Sequence, residues 1–119
     1  MRVSTEAKNP ATPPIVIQSH EWGELSAILQ KYLPNHKVWA FGSRATGCRV
    51  KQYSDLDLAI EGEAMTLLKA ALLDEALDES RLPFRVDVVE LSHTTPEFRA
   101  RIKPDLVLLH EPMQSRQTV

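Results

Sequence analysis

The chain has 119 residues, 43% of them hydrophobic and 25% charged, with 14 lysines and arginines against 16 aspartates and glutamates for a formal charge of −2. A chain of this length makes one domain around a single core, burying roughly 60–70% of its unfolded surface. Its lone cysteine, Cys48, excludes both an intrachain disulfide and a cysteine-based zinc cluster. The near-neutral balance speaks against a protein that coats DNA or an anionic membrane, so no direct DNA binding is expected, and no run approaches the ~20 apolar residues of a membrane span. A reducing, cytoplasmic setting fits this composition.

Residues 1–14 contain three prolines and no apolar stretch of the signal-peptide kind, and read as a flexible arm. Ser19 is the expected N-cap of a helix over 20–33, where Trp22, Leu25, Ile28, Leu29 and Leu33 recur at three- and four-residue spacing. Pro34 and Asn35 stop it. Residues 37–41 (Lys-Val-Trp-Ala-Phe) form a short strand that runs straight into Gly42-Ser43. One helical turn over 43–47 and a polar loop over 48–54 follow. The strand at 55–61 alternates, with Asp55, Asp57, Ala59 and Glu61 on one face and Leu56, Leu58 and Ile60 on the other. Met65, Leu68, Leu72, Leu73 and Leu77 predict an amphipathic helix over 64–79. A third strand over 83–91, a short helix over 97–102 after Pro96, and a last strand over 105–110 complete residues 15–111 as one domain, followed by a flexible tail at 112–119. This order gives an α/β (α+β) fold, a small mixed β-sheet with helices packed on one face.

Asp55, Asp57 and Asp87 stand out because they interrupt hydrophobic strands, where charge is costly unless paired or bound to metal. Residues two apart on a strand point the same way, so Asp55 and Asp57 lie side by side, roughly 6–7 Å apart along the chain. A hard divalent cation relieves the repulsion of such a pair, and a third carboxylate from a neighbouring strand allows two ions to be held roughly 3.5–4 Å apart. A solvated strand edge explains the same Ser-Asp-x-Asp run equally simply. What adds to the metal reading is Gly42-Ser43, where a glycine after a strand admits close backbone approach and the following turn offers amides to phosphate. Arg44 and Arg49 supply charge within reach of phosphates. A phosphate cradle facing paired carboxylates is the minimum apparatus for nucleotidyl or phosphoryl transfer.

Phe41-Gly42-Ser43-Arg44-Ala45-Thr46-Gly47, followed by Ser54-Asp55-Leu56-Asp57-Leu58-Ala59-Ile60, resembles the signature of the DNA polymerase β-like nucleotidyltransferase superfamily. More closely it resembles the minimal nucleotidyltransferase (MNT) antitoxins of prokaryotic HEPN/MNT toxin–antitoxin pairs, over residues 38–90, with Arg85-Val86-Asp87-Val88-Val89 where the family places its third carboxylate. One departure is the basic loop at 48–53, with Arg49 and Lys51. The resemblance implies the polymerase β-like fold, Gly42 and Ser43 on the triphosphate, and Asp55 and Asp57 on Mg²⁺, two ions in all. Asp87 then completes the metal site and helps deprotonate the acceptor hydroxyl. It further implies transfer of AMP from ATP to a tyrosine of a cognate HEPN ribonuclease toxin, in a hetero-oligomer with that toxin or as a homo-oligomer. Only about thirty residues follow Asp87, so the expected acceptor brings its own binding surface. The alternative is a binding module that neutralises its partner by association without catalysis. Trp22 and Phe98 are read either as centres of an apolar docking surface or as ordinary core. His20, His36, His93 and His110 lack metal-ligand spacing and are expected at the surface or in loops, and Cys48 is expected to be an incidental loop thiol.

Overall fold

The computed structural model describes residues 12–112, so residues 1–11 of the expected arm and 113–119 of the expected tail lie outside the described residues. Helix α1 (Ser19–Tyr32) forms where expected, but its cap is Gln18 rather than Ser19. The reason is Glu21, three positions on, whose carboxylate accepts from the Gln18 backbone N–H at 2.9 Å, as the reciprocal half of a capping box does. Pro34 disfavours helical backbone in the residue before it, and Leu33 has already left the helical region at φ −131°.

Three elements then build the centre of the sheet: β1 (Lys37–Phe41), the single turn α2 (Ser43–Thr46) and β2 (Leu56–Glu61). They are followed by α3 (Leu67–Asp78), β3 (Val86–Glu90), α4 (Pro96–Ile102) and β4 (Val107–His110), with 3₁₀ turns at Leu91–His93 and Lys103–Asp105. The strand order is β3-β2-β1-β4; β1 pairs antiparallel with both β2 and β4, while β2 and β3 run parallel. A parallel pair needs a crossover, and α3 supplies it. The expected mixed α+β sheet is therefore the observed one.

Alternation along the central strands sends Val38, Ala40, Leu56, Leu58 and Ile60 to one face, where they meet Leu25, Leu29 and Leu33 of the α1 segment and Leu73 and Leu77 of α3. The other face carries the aspartates. The two long helices share the apolar face, whereas the short α4 reaches the opposite one: its Phe98 packs edge-on against Phe41, with ring centroids 5.9 Å apart.

Three expectations need correction. α3 begins at Leu67 rather than near Ala64, because Thr66 caps it by accepting from the Lys69 N–H at 3.1 Å, while the Met65 N–H donates to Glu90. Only Leu73 and Leu77 of its expected stripe are buried; Leu68 and Leu72 are 68% and 43% exposed, and Leu67 is 91% exposed. The exposed apolar surface is therefore on α3, since Trp22 packs against the core and Phe98 against Phe41. The third strand starts at Val86, with Phe84 before it turned into the core, and Leu91 already opens a 3₁₀ turn. His36 lies in the loop before β1, as expected, and is buried there with its Nε2 hydrogen-bonded to the Glu63 carbonyl at 2.7 Å.

Candidate active site

The antiparallel register of β1 and β2 places Phe41 opposite Asp57, so the residue that follows β1, Gly42, arrives beside that carboxylate. Gly42 adopts φ 82° and ψ −163°, a region essentially reserved for glycine. A Cβ there would stand 2.5 Å from Asp57 Oδ2, closer than real Cβ contacts allow. Glycine is thus required twice, once by the backbone and once by the carboxylate. The α2 turn closes behind it: the Ala45 and Thr46 N–H groups donate to the Gly42 carbonyl at 3.1 and 3.0 Å, and Gly47 N–H to the Ser43 carbonyl at 2.8 Å. Ser43 is left half-buried at the start of the turn, next to the Gly42–Asp57 contact.

Parallel pairing puts Asp57 and Asp87 in direct register on adjacent strands. Asp55 is exposed and sits just before β2, where the neighbouring Leu56 N–H already pairs with the Arg85 carbonyl at 2.9 Å. Asp57 is the half-buried member, and its carboxyl is pushed above the usual carboxylate range, first by burial and then by the negative charges of Asp87 and Asp55. The three groups therefore feel one another electrostatically. Asp87 also carries an ion pair: Arg85 Nε donates to its Oδ1 at 2.9 Å, with the two side chains 76% and 40% exposed.

Among the described residues no three His, Cys, Asp or Glu side chains close around a common point that could hold a metal ion. The expected trio shares one end of two adjacent strands, but Asp87 is turned to Arg85. The donor chemistry nevertheless suits Mg²⁺: three carboxylates, hard oxygen donors, whose mutual repulsion a divalent cation relieves.

Arg44 is the clear correction. Expected at phosphate, it is instead 5% exposed, and its guanidinium donates to the carbonyls of Ser54 (2.7 Å), Val16 (2.9 Å), Gln52 (3.0 Å) and Lys51 (3.3 Å) while lying 4.2 Å over the Phe84 ring. Those bonds tie the 48–54 loop and the segment before α1 to the α2 turn, and they leave little donor capacity for a ligand. Arg49 stands exposed in that loop with φ 59°, and no contact joins it to Asp55 or Asp57. The two-residue spacing of Arg85 and Asp87 places both side chains on one face, but nothing in the sequence alone gives Arg85 a role at the carboxylates.

Residues 23–114 match the family model described as Polymerase beta, Nucleotidyltransferase. The chain is 44% identical over 96 residues to the probable protein adenylyltransferase MntA of Haemophilus influenzae, covering 80% of this chain and 83% of that protein. Among solved structures it resembles a toxin–antitoxin with AMP-PNP, at TM-score 0.62 and 20% identity over 81% of this chain and 77% of the other. It also resembles the complex of tri-AMPylated Shewanella oneidensis HEPN toxin with MNT antitoxin, at TM-score 0.59 and 19% identity, covering 85% and 78% respectively. At these identities the solved structures show a shared fold.

Proposed function

Because this chain belongs to the polymerase β nucleotidyltransferase family, we propose that it is the antitoxin of a toxin–antitoxin pair and transfers AMP from ATP to a tyrosine of a cognate HEPN toxin. The observation that carries the reading is the fit of Gly42 against Asp57, with Asp87 in register beside it. That fit joins a close-approach loop to a carboxylate pair in one place, which a solvated strand edge has no reason to do. The likeness to MntA, a protein adenylyltransferase by name, supports the choice of acceptor, and the likeness to an MNT–HEPN complex supports the choice of partner.

In this mechanism Gly42 and Ser43 bring backbone close to the triphosphate, and Asp55, Asp57 and Asp87 would hold Mg²⁺. Bound Mg²⁺ would neutralise charge developing on the phosphates and lower the acceptor hydroxyl's pKa. The phenol oxygen attacks the α-phosphorus, an O–P bond forms as the bond to the β-phosphate oxygen breaks, and pyrophosphate leaves. Asp87 takes the phenol proton. Asp57 fits beside Gly42 only because that residue has no side chain, and its strand pairing sets it in register with Asp87. The adenylate adds bulk and negative charge to the toxin, which blocks an RNA-binding surface by repulsion.

The test is to incubate the protein with Mg²⁺ and α-labelled ATP, with and without the cognate toxin. Label on a toxin tyrosine, lost in Asp55→Ala/Asp57→Ala, supports the reading. A tight complex that forms without label overturns it in favour of neutralisation by binding alone.

A further inference from the structure

Arg85 occupies a position that the proposed reaction leaves unexplained. It points to the same side of the chain as Asp87, two residues on, and donates to one of that carboxylate's oxygens at 2.9 Å. A cleft of about 540 Å³ between α3 and β3 is lined by Asp74 and Asp78 as well as by this pair, and Arg85 is the one cation among the described residues lining it. Asp57 and Asp55 add further negative charge at the neighbouring strand. The guanidinium is committed to Asp87, the carboxylate that the metal would also need.

We propose that Arg85 is a positioning residue that holds Asp87 until a divalent cation and a nucleoside triphosphate arrive together. The inference rests on reading Asp55, Asp57 and Asp87 as the metal site. A cation arriving alone must compete with the guanidinium for Asp87 Oδ1. A triphosphate changes the balance, because its oxygens give the displaced guanidinium new acceptors in the bidentate geometry arginine favours. Metal and nucleotide then strengthen each other's binding, and linkage makes that coupling reciprocal. Removing Arg85 tightens binding of the cation alone and weakens the coupling. A pair this exposed is weak, so the expected change is modest, about two- to fivefold in affinity.

Mn²⁺ is the probe, titrated by electron paramagnetic resonance into the protein, Arg85→Gln, Arg85→Lys and Asp57→Ala, each with and without AMP-PNP. Arg85→Gln is expected to bind Mn²⁺ alone about two- to fivefold more tightly than the unmodified protein and to lose most of the gain that AMP-PNP brings. Arg85→Lys, which keeps the charge without the fork, falls between them. If Arg85→Gln binds Mn²⁺ alone no more tightly while Asp57→Ala loses it, the Arg85 inference is wrong and the metal site stands. If Asp57→Ala binds Mn²⁺ as well as the unmodified protein, the metal-site reading itself fails. A merely structural role for Arg85 predicts weaker, not tighter, metal binding in Arg85→Gln.

Discussion

Replacing Gly42 by alanine separates what the backbone requires at this position from what the carboxylate requires. The backbone conformation, φ 82° with ψ −163°, is one that non-glycine residues hold only at a cost of about 1–3 kcal/mol. For a domain of this size each kcal/mol lowers the melting temperature by about 4–8 °C, so strain alone predicts a fall of about 4–24 °C. The steric term behaves differently. The new methyl would meet Asp57 Oδ2 at 2.5 Å, and because that oxygen ends a rotatable side chain it can swing away at little energetic cost. The displacement appears in function instead: a shift of about 1 Å in a reacting constellation lowers rate by about 10²-fold. Gly42→Ala should therefore fold, melt several degrees lower and transfer label to the toxin about a hundredfold more slowly. In an Asp57→Ala background the same substitution should still cost the full thermal shift, since the strained backbone remains and only the clash is gone. The assays are thermal unfolding by circular dichroism and label transfer from ATP. A Gly42→Ala protein with unchanged melting temperature, or with unimpaired transfer, refutes the reasoning.

Arg44→Met removes four carbonyl contacts and the stacking on Phe84, and should cost on the order of 3 kcal/mol, with faster amide hydrogen exchange through the 48–54 loop. An Arg44 that served phosphate would instead lose nucleotide affinity at unchanged stability. The raised pKa of Asp57 means that its ionised form is held less well by the fold than by the unfolded chain, so it subtracts stability above the folded pKa. Asp57→Asn should accordingly raise metal-free stability at neutral pH in urea titrations with chelator present, and the gain should shrink as pH falls through that raised pKa and vanish below the unfolded value of 3.8. A gain that grows toward acid would reverse the assignment. Leu73→Ala, fully buried, should cost about 2–5 kcal/mol, whereas Leu68→Ala on the same helix should stay within about 0.5 kcal/mol; equal losses in chemical denaturation would show that α3 packs differently.

Much of the site could be read locally. Strand periodicity put Asp55 and Asp57 on the side opposite Leu56 and Leu58, and Leu56 and Leu58 are indeed buried beneath Asp57. Gly42-Ser43 by itself says little; it gains meaning only from the strand before it and the Asp-x-Asp strand after it. Arg44 was misread because one residue type serves two ends: a guanidinium recognises phosphate oxygens and backbone carbonyls by the same fork of donors. Which it meets depends on a loop whose path no periodicity encodes. The α3 stripe failed similarly. Leu68 and Leu72 sit well round the helix from Leu73 and Leu77, and the way α3 lies on the sheet decides that only the second pair is covered.

The sequence by itself determined most of the elements, the mixed fold and the strand face on which Asp55 and Asp57 lie, because these follow from short-range rules: alternation, helical spacing, turn chemistry and the cost of charge in a strand. Only the tertiary structure decided that Asp57 faces Asp87 in register, that Gly42 lies beside Asp57, that Arg85 pairs with Asp87, and that Arg44 is taken up by backbone carbonyls. Each of those is a relation between residues brought together by strand pairing, and register between strands is set by the packing of the whole sheet rather than by any one segment.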